Sequence, residues 1–431
     1  MPNDRTVAPA DVSAPAGTPS PAAPDAVVGS PAEPAAVARD TGAGGRVAAL
    51  AASWGPALRL GGLIWLIFTA LRYVVAAIVE YQFQTGHGRL RFGLTGVLSL
   101  PFTFDSGYFA EIAGNGYFGE RTSSTWRAFF PGYPLAMRAT SLALTFDVSW
   151  GRLVVAGALI SAVCSLVATV MVFRLAQDLA GIRAGVCAAL LLMVWPAATF
   201  LSAAYSESLY LAFALGAWWN ALRGRWWVAG LLCAGASLTR INGVFLAVAL
   251  LVLLLVRVAR RQETFRVHKV VAVGVGALGA VAYLGYLWVR TGDPLAWQHA
   301  QTEGWGRTTV APWTSLVNTV EAIGSVSDPF QRSQFIIDVA AVGLCLLAAG
   351  YMIYRRYWAE LTLTLITVLV LASNASYLSI MRNTLTIFPL FVIGGAILAR
   401  RREWVTSMVL TLSGVWMVAT TALFTLTQWV G

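Results

Sequence analysis

The chain has 431 residues, 58% of them hydrophobic and 12% charged, whereas a soluble domain carries about 25% charged residues. That balance excludes a water-soluble globular enzyme and indicates a protein that crosses a membrane many times. The formal charge of +10 would suit a nucleic-acid binder, but the basic residues sit in short clusters between apolar stretches. Cytoplasmic loops leave that pattern, so no nucleic-acid partner is expected.

Residues 1–53 are dominated by Ala, Pro, Gly, Ser and Asp and hold eight of the 17 prolines. Such a segment buries too little apolar surface to offset the entropy of ordering and is expected to be a disordered cytoplasmic tail. It does not read as a signal peptide, because no charged stretch runs directly into an apolar one. Residues 54–431 are expected to form one membrane domain whose first helix, 57–79, acts as an uncleaved anchor. Five short basic loops follow, marked by Arg174 and Arg183, by Arg223 and Arg225, by Arg257 to Lys269, by Arg355 and Arg356, and by Arg400 to Arg402. With all five in the cytoplasm, spans fall at 57–79, 151–173, 184–204, 205–222, 226–240, 242–256, 269–289, 333–354, 359–379, 384–399 and 404–427. This predicts an all-α polytopic protein of the inner (plasma) membrane with about 11 crossings, its N-terminus inside and its C-terminus outside. The apolar stretch 133–146 is short for a crossing and contains Arg138. It is expected to lie along the outer surface, as a juxtamembrane helix within a large first external loop at 80–150. A second large external loop is expected at 290–332.

In this arrangement the chemically active side chains share the outer face: Asp105, Glu207, Arg240, Arg307 and Arg382. Charges at a membrane surface are costly to keep and usually meet an opposite charge, yet the three arginines outnumber the carboxylates that face them. A phosphate is the missing anion that guanidinium forks bind best. One carboxylate beside several cations suits attack by a hydroxyl on a sugar carried by a lipid phosphate: the carboxylate takes the proton and the arginines hold the departing phosphate. A glycosidase needs a second carboxyl as general acid, whereas a phosphate leaves without one. Cys164, Cys187, Cys233 and Cys345 lie in apolar stretches without paired spacing and read as core residues. No cluster of Asp, Glu and His has ligand spacing, so neither a divalent metal nor another cofactor is expected.

The motifs around these residues are Phe104-Asp105, Tyr108, Gly116-Tyr117, Ala128 to Pro134, Tyr205-Ser206-Glu207-Ser208-Leu209, Ser237-Leu238-Thr239-Arg240, Gly292-Asp293-Pro294-Leu295, His299-Ala300-Gln301, Trp305-Gly306-Arg307 and Phe388-Pro389-Leu390. In this order, over about residues 57–400, they resemble the PIG-V-like mannosyltransferases of the GT-C superfamily. The resemblance implies a GT-C-like helix bundle, a polyprenyl-phosphate mannose donor, inverting transfer outside the cytoplasm and a catalytic aspartate at Asp105. Arg240, Arg307 and Arg382 are the candidates for the donor phosphate. Glu207, Tyr108, Tyr133, His299, Gln301 and Trp305 are those for binding or orienting substrate. Phe104 stands where the family has Trp, and Arg382-Asn383 where it has Arg-Tyr. The acceptor is expected to be a lipid-linked or cell-envelope glycan. Transfer of another sugar or to a protein, or a polytopic lipid or solute transporter, are the competing readings. A transporter tends to place charges near the midplane between two similar halves, and no internal repeat is seen. Asp105 also has a purely structural reading, as the N-cap of a helix starting near Ser106.

Overall fold

Residues 53–84, 102–119 and 122–431 are described by the structure, a computed structural model. The expected tail at 1–53 lies outside them except for Ser53, as do 85–101 and 120–121 of the expected first external loop. Among the described residues every regular element is helical, apart from one isolated bridge between Thr309 and Asn374. In chain order the helices are α1 (Gly62–Val79), α2 (Asp105–Asn115), α3 (Gly132–Thr145), α4 (Trp150–Ala180), α5 (Ile182–Met193), α6 (Ser206–Leu222), α7 (Trp226–Thr239), α8 (Asn242–Ala259), α9 (Val267–Val275) and α10 (Leu278–Thr291). They continue with α11 (Ala296–Trp305), α12 (Pro312–Ser325), α13 (Pro329–Tyr354), α14 (Trp358–Leu371), α15 (Ile380–Asn383), α16 (Pro389–Leu398) and α17 (Glu403–Thr425).

The expected all-α polytopic class holds, but the number of full-length crossings differs. Helices lie on every expected segment, yet among the described residues only Ser53–Gln82, α4, α8, α13 and α17 are each long and apolar enough to cross a membrane. Two bent pairs, α9 with α10 at 50° and Ile380–Thr386 with α16 at 83°, raise the number to seven. Helices α5, α7 and α14 are apolar but shorter. Leu63, Leu66, Ile67, Val74 and Ile78 on α1, and Leu412 and Val415 on α17, are large apolar side chains exposed on the surface. So large an apolar surface is stable only against lipid.

The expected span 184–204 is not one helix, and its break has a visible cause. Pro196 removes an amide and disfavours helix at the residue before it, so α5 stops at Met193 and the chain up to Tyr205 is irregular except for a 3-10 turn at Ala198–Leu201. Backbone groups freed inside a membrane must find partners. Arg72, buried in α1, donates to the Met193 carbonyl at 2.9 Å and to the Ser202 hydroxyl at 2.7 Å. Ser413 and Thr420 of α17 donate to the carbonyls of Val194 and Pro196 at 2.8 and 2.6 Å. The irregular segment is thereby held firmly just before the residues that enter the site.

Helix α3 covers the segment expected to be a juxtamembrane helix. It buries Tyr133, Pro134, Met137 and Ser141 and exposes Leu135, Leu142 and Leu144. Arg138 turns back to donate to the carbonyls of Ala113 and Gly114, which tethers α3 to the last turn of α2. The second loop holds a helix that was not anticipated. In α12, Trp313, Leu316, Val317 and Val320 are exposed at helical spacing and form an apolar stripe suited to a membrane interface.

The five basic loops meet one another. Asp178 pairs with Arg174 and Arg223, Trp226 donates to Glu263, Arg260 donates to the Arg356 carbonyl and Arg183 donates to the Arg401 carbonyl. The motif-bearing loops form a separate group. Ser124 donates to Glu303 at 2.7 Å, Tyr283 to the Arg127 carbonyl at 2.8 Å and Asn318 to the Ala375 carbonyl at 2.7 Å.

Candidate active site

Asp105 is the first residue of α2, and its carboxylate does not cap the helix. The preceding residue occupies the cap position without a side-chain cap bond, while the Asp105 amide donates to the Tyr205 hydroxyl at 3.1 Å. Phe104 sits at φ +50°, a conformation that costs a non-glycine residue of order 1–3 kcal/mol and is kept only where its surroundings enforce it. The strain turns the Asp105 carboxylate away from its own helix and toward Arg382, whose Nη1 donates to Oδ2 at 2.7 Å.

Arg382 is the hub. Its Nε donates to Glu207 Oε1 at 2.6 Å, and its guanidinium lies 4.6–5.5 Å from the ring centroids of Phe200, Tyr205 and Trp429. Glu207 is fully buried at the start of α6, and its Oε1 also accepts from Arg240 Nη1 at 3.0 Å. Arg240, just past the end of α7, donates further to the Ser206 hydroxyl at 2.8 Å and through Nη2 to Asn383 Oδ1 at 2.7 Å. Four widely separated stretches of chain thus converge on one network of charge-assisted bonds, each worth about 1.5–3 kcal/mol when buried.

Arg307 differs from the other two arginines. It follows α11, donates to Gln301 Oε1 at 3.1 Å and forms no ion pair among the described residues. Burial pushes its guanidinium down to about 10. The positive charge of Arg382 and Arg240 acts in the same direction, and Asp105 opposes it. Its Nε is buried without a hydrogen-bond partner, as are Arg240 Nε, Glu207 Oε2 and the Ser106 hydroxyl oxygen. Three guanidiniums facing two carboxylates leave one positive charge over.

The remaining candidates fall into two groups. Tyr108, one turn along α2 from Asp105, is 39% exposed, stacks on Phe129 at 5.3 Å and meets Trp305 edge-on at 6.3 Å. Gln301 holds Arg307 and also donates to the Ala128 carbonyl at 3.2 Å. Tyr133 is fully buried, its hydroxyl bonded to the Gly157 carbonyl and to Ser161, so it orients by seating α3 against α4 and presents nothing to a substrate. His299 is mostly exposed and pairs with Asp293 Oδ2 at 2.7 Å. The Asp293 carboxyl is held below its usual range by the Leu295 amide and by His299, so the two close the turn into α11 and belong to the loop. Among the described residues no group of three or more His, Cys, Asp or Glu side chains is placed to hold a metal ion.

Some participants were not singled out from the sequence. Asn383 stands out in the sequence only as a departure from a familiar pair, yet its carbamoyl oxygen joins the Glu207 carboxylate in holding Arg240. Ser206 stood within a recognised motif without a role. Trp429, which packs on Phe104 at 5.2 Å and covers Arg382, carried no sequence signal because its part depends on the chain folding back after α17.

Residues 93–275 match a family model described as mannosyltransferase (PIG-V). Similar curated proteins include GPI alpha-1,6-mannosyltransferase 2 of Mus musculus, 38% identical over 157 residues that cover 35% of this chain and 30% of that protein. The protein of the same description from Homo sapiens is 36% identical over 162 residues, with the same shares of 35% and 30%. The matched region thus spans under a third of the length of these relatives. Among solved structures, ArnT from Cupriavidus metallidurans bound to undecaprenyl phosphate aligns with a TM-score of 0.48 at 15% identity, over 84% of this chain and 74% of that one. The archaeal oligosaccharyltransferase AglB from Archaeoglobus fulgidus, in complex with an inhibitory peptide and a dolichol-phosphate, aligns with a TM-score of 0.42 at 13% identity, over 84% and 55%. The stretch that contributes Asp105, Glu207 and Arg240 to the charged network lies within the residues that match the PIG-V mannosyltransferase model.

Proposed function

We propose that the protein is an inverting glycosyltransferase that moves mannose from a polyprenyl-phosphate donor to a lipid-linked or cell-envelope glycan at the outer face of the membrane. The observation that carries this reading is the excess positive charge beside Asp105: Arg307 is half-buried without a carboxylate partner among the described residues, next to Arg382 and Arg240. A donor phosphodiester brings the missing negative charge. The charge on its phosphate grows as the bond to the sugar breaks, so the three guanidiniums gain most in the transition state.

In the free protein Asp105 is engaged by Arg382. A donor phosphate competes for Arg382 and releases Asp105 toward the acceptor. The acceptor hydroxyl oxygen then bonds to the mannosyl anomeric carbon on the face opposite the phosphate, and its proton passes to Asp105. The bond from that carbon to the phosphate oxygen breaks, and the electron pair leaves with the polyprenyl phosphate. Glu207 holds Arg382 and Arg240 in place throughout. Tyr108, one turn along α2 from Asp105, and Trp305 beside it offer aromatic faces on which a sugar ring can stack.

The test compares lipid and glycan profiles of a deletion strain complemented with the wild-type gene or with Asp105→Asn. One mannosylated species should vanish on deletion and return with wild type only. A profile unaffected by deletion contradicts the proposal.

A further inference from the structure

We propose that Asp338 is a positioning residue that sets the place of Arg382 and Asn383 by gripping the backbone from which they project. The inference rests on the proposed role of the Arg382 network. Asp338 lies midway along α13 and is 6% exposed. Among the described residues no lysine, arginine or histidine forms an ion pair with it. Its Oδ1 instead accepts from the Met381 amide at 2.8 Å, and the amides of Ile380 and Ser379 are directed at the same carboxylate.

Those amides begin α15, a helix of four residues that is too short to hold itself. Two features make an external grip necessary. Ser379 enters α15 at φ +61°, a left-handed conformation that costs a serine of order 1–2 kcal/mol. Beyond it the chain bends by 83° before α16, so no continuous helix steadies Arg382 from either side. A buried carboxylate without a cation is costly in a membrane protein and is kept for a purpose. Here it supplies the acceptor that the free amides of the short helix lack. Asp338 touches neither Arg382 nor Asn383 through its side chain. It acts through the backbone, and its loss displaces the guanidinium that meets Asp105 and Glu207.

The experiment measures mannosyl transfer per folded molecule and amide hydrogen exchange in purified full-length wild type, Asp338→Ala, Asp338→Asn and Asp338→Glu, with Asp105→Asn as reference. Misplacing a group by about 1 Å costs up to about 100-fold in rate, so Asp338→Ala should lower kcat at least about tenfold. Exchange should accelerate at residues 379–383 and not in the neighbouring helices. Asn keeps an acceptor oxygen at the same reach and should retain at least about a third of wild-type turnover. Glu keeps the charge but moves it by one methylene and should lose activity as Ala does. Wild-type kcat in Asp338→Ala with only a lower melting temperature overturns the proposal. If Asp338→Ala fails to fold, the other two variants decide: Asn active with Glu impaired supports the proposal, and equal activity in both overturns it. Full activity in Asp105→Asn would instead remove the active site itself, a failure distinct from wild-type behaviour of the Asp338 variants.

Discussion

At the scale of single residues, the three arginines are not equivalent, and their variants should separate. Arg382 neutralises two buried carboxylates, and removing one member of such a network costs about 3–5 kcal/mol because the others remain buried without a partner. Arg382→Ala should therefore lower the melting temperature sharply. Arg307 neutralises nothing, so Arg307→Ala should melt at or above the wild-type temperature while the KM for donor rises about tenfold or more, the loss of one charge-assisted bond of about 1.5–3 kcal/mol. Melting curves and donor titrations on both variants check this, and a destabilised Arg307→Ala with unchanged KM contradicts it. Arg307 also predicts a pH dependence. Its folded value of about 10 lies below the ordinary 12.5, so its charge opposes folding below about pH 10 and that cost fades as pH rises through this value. The same rise removes the positive charge offered to the donor. Donor affinity should hold steady from about pH 7 to 9 and fall through about 10, and Arg307→Ala should show no such fall. Asp105, Arg240, Arg307 and Arg382 were legible in the sequence because a charge within an apolar chain is conspicuous by its cost. The strain at Phe104 and the grip of Asn383 on Arg240 were not, since both arise from approaches between distant segments.

At the scale of elements, glycines mark where helices come too close for a side chain. A Cβ at Gly132 would lie 2.6 Å from the Thr239 hydroxyl oxygen and 2.8 Å from the Leu238 carbonyl oxygen. Helix α3 therefore starts directly against the last turn of α7, one residue before Arg240. At Gly243 an added Cβ would run into the backbone of Ser237, so α7 and α8 fold back on each other at the turn that presents Arg240. Gly132→Ala should destabilise by about 1–3 kcal/mol through overpacking and lower activity beyond that loss by shifting Arg240. Thermal melts beside turnover measure both, and wild-type values for each would show that this contact is unimportant. Helix positions, that of α3 among them, could be read from hydropathy. The break at 194–205 could not, because its backbone is held by Arg72, Ser413 and Thr420 from elements far away in the chain, and neither could the bend before α16, where α15 is held by Asp338 of α13. The apolar stripe of α12 was present in the sequence at Trp313, Leu316, Val317 and Val320 but too short to register beside full-length spans.

At the scale of the whole molecule, the five basic loops form one connected group and the motif-bearing loops another, as expected if the first group faces the cytoplasm and the second the outside. Single cysteines at Ser123 and Thr308, both exposed, should react with a membrane-impermeant thiol reagent in intact cells. Cysteines at Gln262 and Arg401, also exposed, should react only after permeabilisation. The four native cysteines are buried or half-buried and give little background. Labelling at Gln262 in intact cells would overturn the orientation. The strained turn before α2 and the arginine network meet at the carboxylate of Asp105. Asp105→Asn keeps the size of the side chain and an oxygen for Arg382, so the protein should fold and insert as wild type does. It removes the base, so transfer of mannose from polyprenyl-phosphate mannose by the purified protein should fall by about 100-fold or more. Turnover within a few-fold of wild type in a correctly folded Asp105→Asn would contradict the account.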